Sequence, residues 1–392
     1  MFSSRTNWHR QQNKLTELLE SRRKSGKPIH DLTISNPTEC GFNYPEKETL
    51  SALSSPDVLI YKPDPRGFIT AREAVVRYYQ TKNIVVDPGD LFLTASTSEA
   101  YSFIFKLLCN PDDAILTPIP SYPLFEYLAQ INDVKTQEYR LVYDHGWQID
   151  LESIANSISN STKAIILINP HNPTGMFFKK NEYLEIQKIA REKNLALIVD
   201  EVFIDYPHDD SPDRYGSAAG SSEVLTFTLN GISKMCGLPQ VKLGWIAVSG
   251  EQRAKSEAVE RLEILCDTFL SVNTPAQVAL PKLLQSSESI RKQILQCIKS
   301  NYSFLSLLTT HHSPINILST GGGWYAILKV PRTKSDEDWA LELLDSYGIY
   351  LFPGYFFDFE EEGYLVVSLL VEEEKFQSAI KGVEEFIAAS MH

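Results

Sequence analysis

Lys234 stands in Thr228-Leu229-Asn230-Gly231-Ile232-Ser233-Lys234-Met235-Cys236-Gly237-Leu238-Pro239, a turn of small residues directly after an apolar run. A lysine on a surface is a solvated charge. Buried in such a turn, its pKa falls and the neutral amine can condense with an aldehyde. Asp200, in Val199-Asp200-Glu201-Val202-Phe203, also ends an apolar run. It is either a helix N-cap or a carboxylate that keeps an aromatic nitrogen protonated, so that the ring draws in electrons. Asn172 lies in Asn169-Pro170-His171-Asn172-Pro173-Thr174-Gly175, where two Asn-Pro pairs are denser than an ordinary turn needs. Ser96, Thr97 and Ser98, in Thr94-Ala95-Ser96-Thr97-Ser98-Glu99-Ala100, are ordinary helix caps or donors aimed at a phosphate. Tyr122, in Pro118-Ile119-Pro120-Ser121-Tyr122-Pro123, is a core aromatic or a ring stacked on a planar ligand.

These residues need a frame that brings them together. The apolar runs at 90–95, 114–118, 164–169, 195–200, 224–229 and 243–248 are short, β-branched and nearly continuous. Strands covered on both faces read this way. The segments between them, such as 98–109, 122–131 and 181–193, have helical spacing. The alternation predicts a mostly parallel sheet clothed in helices. Ligands of such sheets gather at the carboxyl ends of the strands, where the residues above lie. Residues 8–24 read as an amphipathic helix, with turn-rich sequence after it. Beyond about 285 the texture changes to helices at 286–309, 337–347 and 374–389 with runs at 324–330 and 364–370. That is a smaller α+β unit.

The chain of 392 residues is 43% hydrophobic and 22% charged, enough apolar material for a large core. Its net charge of -13 argues against nucleic acid or an anionic membrane as partner. The five cysteines are scattered and form no CxxC pair, which fits a reducing compartment. Neither they nor the eight histidines, among them His145, His171, His208 and the pair His311-His312, show metal-ligand spacing. No apolar signal core follows Met1, so a soluble cytoplasmic protein is expected.

Taken in order, Asn-Pro-x-Asn-Pro-Thr-Gly, Asp-Glu-Val and Ser-Lys-x-x-Gly-Leu-Pro resemble the fold-type I aminotransferases of class I/II, the aspartate aminotransferase-like superfamily. The resemblance runs from about Asp31 to the C-terminus. It implies an α/β fold with a large PLP-binding domain, built on a mostly parallel seven-stranded sheet, and a smaller α+β C-terminal domain. Residues 1–45 would be an N-terminal helix and substrate-covering loop, 46–284 the large domain and 285–392 the small one. The implied cofactor is pyridoxal 5'-phosphate (PLP), held as a Schiff base on Lys234. Asp200 would pair with the pyridine nitrogen, Asn172 with the phenolic oxygen, and Tyr122 would stack on the ring. Ser96, Thr97, Ser98 and Ser233 would hold the phosphate. Tyr61 matches a tyrosine that the neighbouring subunit lends to the phosphate, which implies a homodimer with shared sites. Asn36 and Pro37 match the loop over the substrate.

Three positions depart from the family pattern. Lys242 stands where an arginine usually binds phosphate, keeping the charge and losing the fork. Phe203 replaces a tyrosine that shares the phenolic oxygen. Val366, in Gly363-Tyr364-Leu365-Val366-Val367-Ser368, occupies the place of the arginine that binds a substrate carboxylate, and Arg332 is the last arginine of the chain. Either the substrate has no carboxylate there or another cation supplies the contact; Arg66 is the candidate, with a surface turn arginine as the plain alternative. Transamination between an amine or amino acid and a keto acid is the leading reading. A carbon–sulfur lyase or a decarboxylase shares the same early chemistry, and a non-catalytic PLP-binding regulator is the remote alternative.

Overall fold

The computed structural model describes residues 1–8, 11–220, 222–308 and 313–391. Its strands, in chain order, are β1 (His30–Asp31), β2 (Leu91–Thr94), β3 (Ala114–Ile119), β4 (Lys135–Tyr143), β5 (Trp147–Ile149), β6 (Thr162–Ile168), β7 (Ala196–Asp200), β8 (Thr226–Gly231), β9 (Gly244–Ser249), β10 (Asn316–Ile317), β11 (Tyr325–Lys329), β12 (Ile349–Tyr350), β13 (Phe352–Pro353) and β14 (Tyr364–Ser368). Eight of them form one sheet in the order β2-β9-β8-β7-β6-β3-β4-β5. β3, β4, β6, β7 and β8 are parallel neighbours. β9 runs against both β2 and β8, and β5 runs against β4.

The six runs read from sequence as strands are all in this sheet. The expected seven strands are eight, because Trp147–Ile149 folds back on β4 as a short hairpin. β4 and β5 escaped the reading because β4 is buried on one side only, so it lacks a continuous apolar run. β6 and β7, by contrast, are buried along nearly their whole length. Ile166, Ile198 and Phe227 face one layer of helices with Ile104 and Leu262. On the other face Ile165, Leu167, Leu197 and Val199 pack on Tyr183 and Ile186.

A second core joins Leu15, Leu19 and Leu32 to the C-terminal residues, including Trp324, Val366 and Phe376. The N-terminal helix spans Lys14–Lys24, shorter than 8–24, and Asn13 caps it by accepting from the Thr16 N–H. Part of the expected span, residues 9–10, lies outside the described residues, as do His311 and His312. β1 and β12 form a separate two-stranded sheet, and the Ser368 N–H at the end of β14 donates to the Leu32 carbonyl, tying the N-terminal segment to the small sheet β10-β11-β14-β13. A single 35-residue helix, Thr274–Leu308, replaces the one read at 286–309 and carries Pro281 within it. The boundary expected at 285 falls inside this helix.

Candidate active site

The sheet delivers its residues to one edge. β7 ends on Asp200, β8 leads through Gly231 into the turn of Lys234, β6 leads to Asn169 and Asn172, β3 to Tyr122, and β2 to Ser96. β8 and β9 approach so closely there that a Cβ on Gly231 would lie 2.9 Å from Gly244 Cα and from the Leu243 carbonyl. The Lys234 turn therefore sits against the residues that follow Lys242. Ser96, Thr97, Ser98, Tyr122, Asn172, Asp200, Ser233, Lys234 and Lys242 all line one cleft of about 310 Å³. Nine residues named from widely spaced motifs thus share a wall.

Lys234 is half-buried, and the loss of water around its amine lowers it to a pKa of about 8, with the Asp200 charge working against that fall. Burial raises Asp200 to about 6, opposed by the Val202 N–H, the Tyr101 hydroxyl and Lys234. The Val202 N–H donates to Asp200 Oδ1 at 3.0 Å and the Tyr101 hydroxyl to Oδ2 at 3.1 Å. These bonds aim the carboxylate and keep it ionised at neutral pH. Behind it Glu201 is fully buried, and burial pushes its carboxyl up to about 8. It accepts from the Ser217 hydroxyl and the Ala218 N–H, both at 2.6 Å.

The Ser96 hydroxyl accepts from the Glu99 N–H at 3.1 Å, so this side chain caps the helix Thr97–Leu108. The Glu99 carboxylate in turn accepts from the Ala95 N–H at 2.7 Å. Thr97, Ser98, Ser233 and Lys242 line the cleft beside this helix start, where free N–H groups, hydroxyls and a cation suit a phosphate. Asn172 Oδ1 is buried with no hydrogen-bond partner among the described residues, a group that a bound molecule would satisfy. The donor set therefore fits PLP: a phosphate cradle at one end, a carboxylate at the other, and a poorly solvated amine between.

Other candidates lie elsewhere. Asn36 and Pro37 are outside the cleft lining; Asn36 Oδ1 accepts from the Thr38 N–H, and Pro37 is buried. Ser35, one residue earlier, does line the cleft. Tyr61 is three-quarters exposed and away from its own chain's cleft. Arg66 is engaged: it donates to the Gly89 carbonyl at 2.6 Å and pairs with Glu263 at 2.5 Å. Val366 is wholly buried in β14 between Ile327 and Phe352, in the small-lobe core rather than the cleft. The cations lining the cleft, among the described residues, are Lys234 and Lys242.

Tyr101, Ser35, Tyr325 and Trp324 were missed. Tyr101 had a signal, since it lies four residues after Thr97 and so on the same helix face. Trp324 and Tyr325 follow Gly321-Gly322-Gly323, and a Cβ on Gly322 would meet the Tyr206 carbonyl at 2.7 Å. That run of glycines marks a close approach between the lobes.

The family model for aminotransferase class I and II matches residues 39–383. The glutamate-pyruvate aminotransferase AlaA of Haemophilus influenzae is 28% identical over 373 residues, covering 93% of this chain and 92% of that protein. AlaA of Escherichia coli K12 is 30% identical over 272 residues, with 69% and 67% covered. Among solved structures, an alanine aminotransferase from Pyrococcus furiosus superposes with a TM-score of 0.88 at 26% identity, covering 99% of this chain and all of that one.

Proposed function

The chain belongs to the class I and II aminotransferase family, and on that premise we propose that Lys234 is the residue that binds the cofactor and moves the substrate proton. The protein is a PLP-dependent aminotransferase. When bound, PLP supplies an aldehyde that condenses with amines and a ring that accepts electrons from the adjacent carbon. The observation that carries the assignment is the Lys234 amine, lining one cleft with Asp200 and lowered by desolvation to about 8. Such an amine is partly unprotonated at neutral pH, so it serves as nucleophile and then as base.

The other roles follow from the donor set. Asp200, fixed by Tyr101 and the Val202 N–H, holds a proton-bearing ring nitrogen. Asn172 orients a ring oxygen, and Tyr122 covers a ring face. Ser96, through the helix end it caps, Thr97, Ser98, Ser233 and Lys242 bind phosphate. Lys242 supplies charge without a bidentate fork. Ser35 and Tyr325 line the remaining wall, where substrate enters.

Two further readings belong to the same proposal. The first is a homodimer with shared sites, supported by the exposure of Leu59, Ile60 and Tyr61 in one short segment. The second is a cytoplasmic location; no helix among the described residues is long and apolar enough to cross a membrane. Substrates are an amino donor and a keto acid acceptor, as the names of the relatives suggest.

The test is a substrate panel. Purified protein is given amino acids or simple amines with pyruvate or 2-oxoglutarate, and the new amino acid is measured. Transfer is expected in wild type and a loss of at least about a thousandfold in Lys234→Ala. Ammonia and pyruvate appearing without an acceptor, or full activity in Lys234→Ala, would overturn the proposal.

A further inference from the structure

Lys234 Nζ lies 4.8 Å from the centre of the Trp324 ring and 5.6 Å from that of Phe203. The two rings meet edge to face, 5.2 Å apart at 68°. Tyr206 meets Trp324 the same way, at 5.2 Å and 65°. The Tyr206 hydroxyl donates to the Lys234 carbonyl at 2.6 Å. One lysine is thus held at both ends by one aromatic cluster, its backbone by a phenol and its amine by two ring faces. Trp324 and Tyr206 are fully buried, and Phe203 nearly so.

The three rings come from two lobes. Phe203 and Tyr206 follow β7 in the large lobe. Trp324 precedes β11 in the small lobe, and its carbonyl accepts from the Leu369 N–H at 2.7 Å. The Gly323 N–H donates to the Tyr206 carbonyl at 2.9 Å, and Pro207 bridges to Gly322. Trp324 Nε1 has no hydrogen-bond partner among the described residues, although a buried indole ordinarily finds one. Ring contacts, not a hydrogen bond, set its place.

We infer that Trp324, with Phe203, is a positioning residue for the proton-carrying lysine: the paired ring faces hold the Lys234 amine and stabilise it in its protonated form. The inference rests on the reading of Lys234 given above. An ammonium over a ring within about 6 Å is attracted by the ring quadrupole, and more strongly when water is excluded. The lysine must bear a proton part of the time and stay near the reacting carbon while it does. Desolvation works against the first, because it disfavours charge. The rings counter that penalty without adding a second carboxylate to the cleft. The titratable groups that share the cleft with the amine, among the described residues, are Asp200 on β7, whose charge acts on it, Tyr101 of the helix Thr97–Leu108, Lys242 before β9, Tyr122 and Tyr325. All of them remain in the variants below.

The experiment uses the holoenzyme with its cofactor converted to the amine form, which leaves Lys234 free. The rate at which acetic anhydride labels Lys234 is followed against pH, by mass spectrometry of its peptide. The midpoint is expected to fall by about one pH unit in Trp324→Leu and in Phe203→Leu. Trp324→Phe keeps a ring and is expected to stay within about 0.3 unit of wild type. The limb of the kcat profile governed by the lysine should move with the labelling midpoint, whereas a merely structural loss would lower kcat evenly across pH. An unmoved midpoint in both leucine variants overturns the inference, as does an equal shift in Trp324→Phe. Phe203→Leu and Trp324→Phe keep the test open if Trp324→Leu does not fold. Borohydride reduction of the wild type separates the two levels. Cofactor fixed on a peptide other than that of Lys234 sinks the site assignment itself, while cofactor fixed on Lys234 with an unmoved midpoint sinks only the role of the rings.

Discussion

Lys234, half-buried, and Glu201, fully buried, are titratable groups with opposite consequences for pH. With its amine at about 8, Lys234 gains neutral, nucleophilic character as pH rises toward that value. Capture of PLP by the cofactor-free chain is expected to quicken about fivefold from pH 7 to 8 and less than twofold from pH 8 to 9. Stopped-flow absorbance of the lysine-bound cofactor checks this; a flat rate over that range refutes it. Glu201 has its folded pKa raised from 4.5 to about 8 by burial. A raised pKa contributes stability below the unfolded value, lost as pH climbs through the folded one. Glu201→Gln keeps an oxygen to accept from the Ala218 N–H, turns its amide N–H toward the Ser217 hydroxyl, which accepts instead of donating, and cannot ionise. Its stability relative to wild type should therefore improve by up to about 3 kcal/mol between pH 5 and pH 8. Urea melts at the two pH values measure the difference. At this scale the sequence was informative where a residue's type matched its chemistry, as for Lys234 and Asp200. It was silent on Trp324, whose part depends on a second lobe coming within ring distance of the lysine. It could not foresee the partners of Arg66, because Gly89 and Glu263 are remote in the chain.

The elements matter through their ends and their close approaches. The six two-faced strands announced themselves because both faces needed apolar side chains. β4, wet on one side, and β5, only three residues long, carried no such signature. The approach of β8 to β9 was visible only as two glycines, Gly231 and Gly244. Adding a methyl at Gly231 must push aside the Gly244 backbone, which has no flexible side chain to yield. Gly231→Ala is expected to cost about 2 kcal/mol and to displace the Lys234 turn. Thermal melting and PLP affinity should fall together; a variant that melts like wild type and binds PLP normally would show that the strands tolerate separation.

At the scale of the whole molecule, the exposed segment Leu59-Ile60-Tyr61 is the feature a single chain does not explain. If it meets a second copy, Leu59→Asp should convert a dimer to a monomer in sedimentation and weaken PLP binding through the loss of Tyr61. Monomeric wild type with full activity would remove that reading. The small lobe was legible as a change of texture near residue 285, but the seam was not, because a single helix bridges it. That helix, Thr274–Leu308, packs Ala276, Leu280 and Leu283 into the core beside β9 and Ile290, Ile294 and Ile298 into the other. Pro281 removes its bond to the carbonyl four residues back, leaving one soft point near the large-lobe end. Beyond it the shaft continues for 27 residues, 282 to 308, an arm of about 40 Å at 1.5 Å per residue. One degree of bend at Pro281 swings the far end by about 0.7 Å. The two cores thus share one continuous shaft, and any bend at Pro281 would be magnified along it between the large-lobe core and the small one.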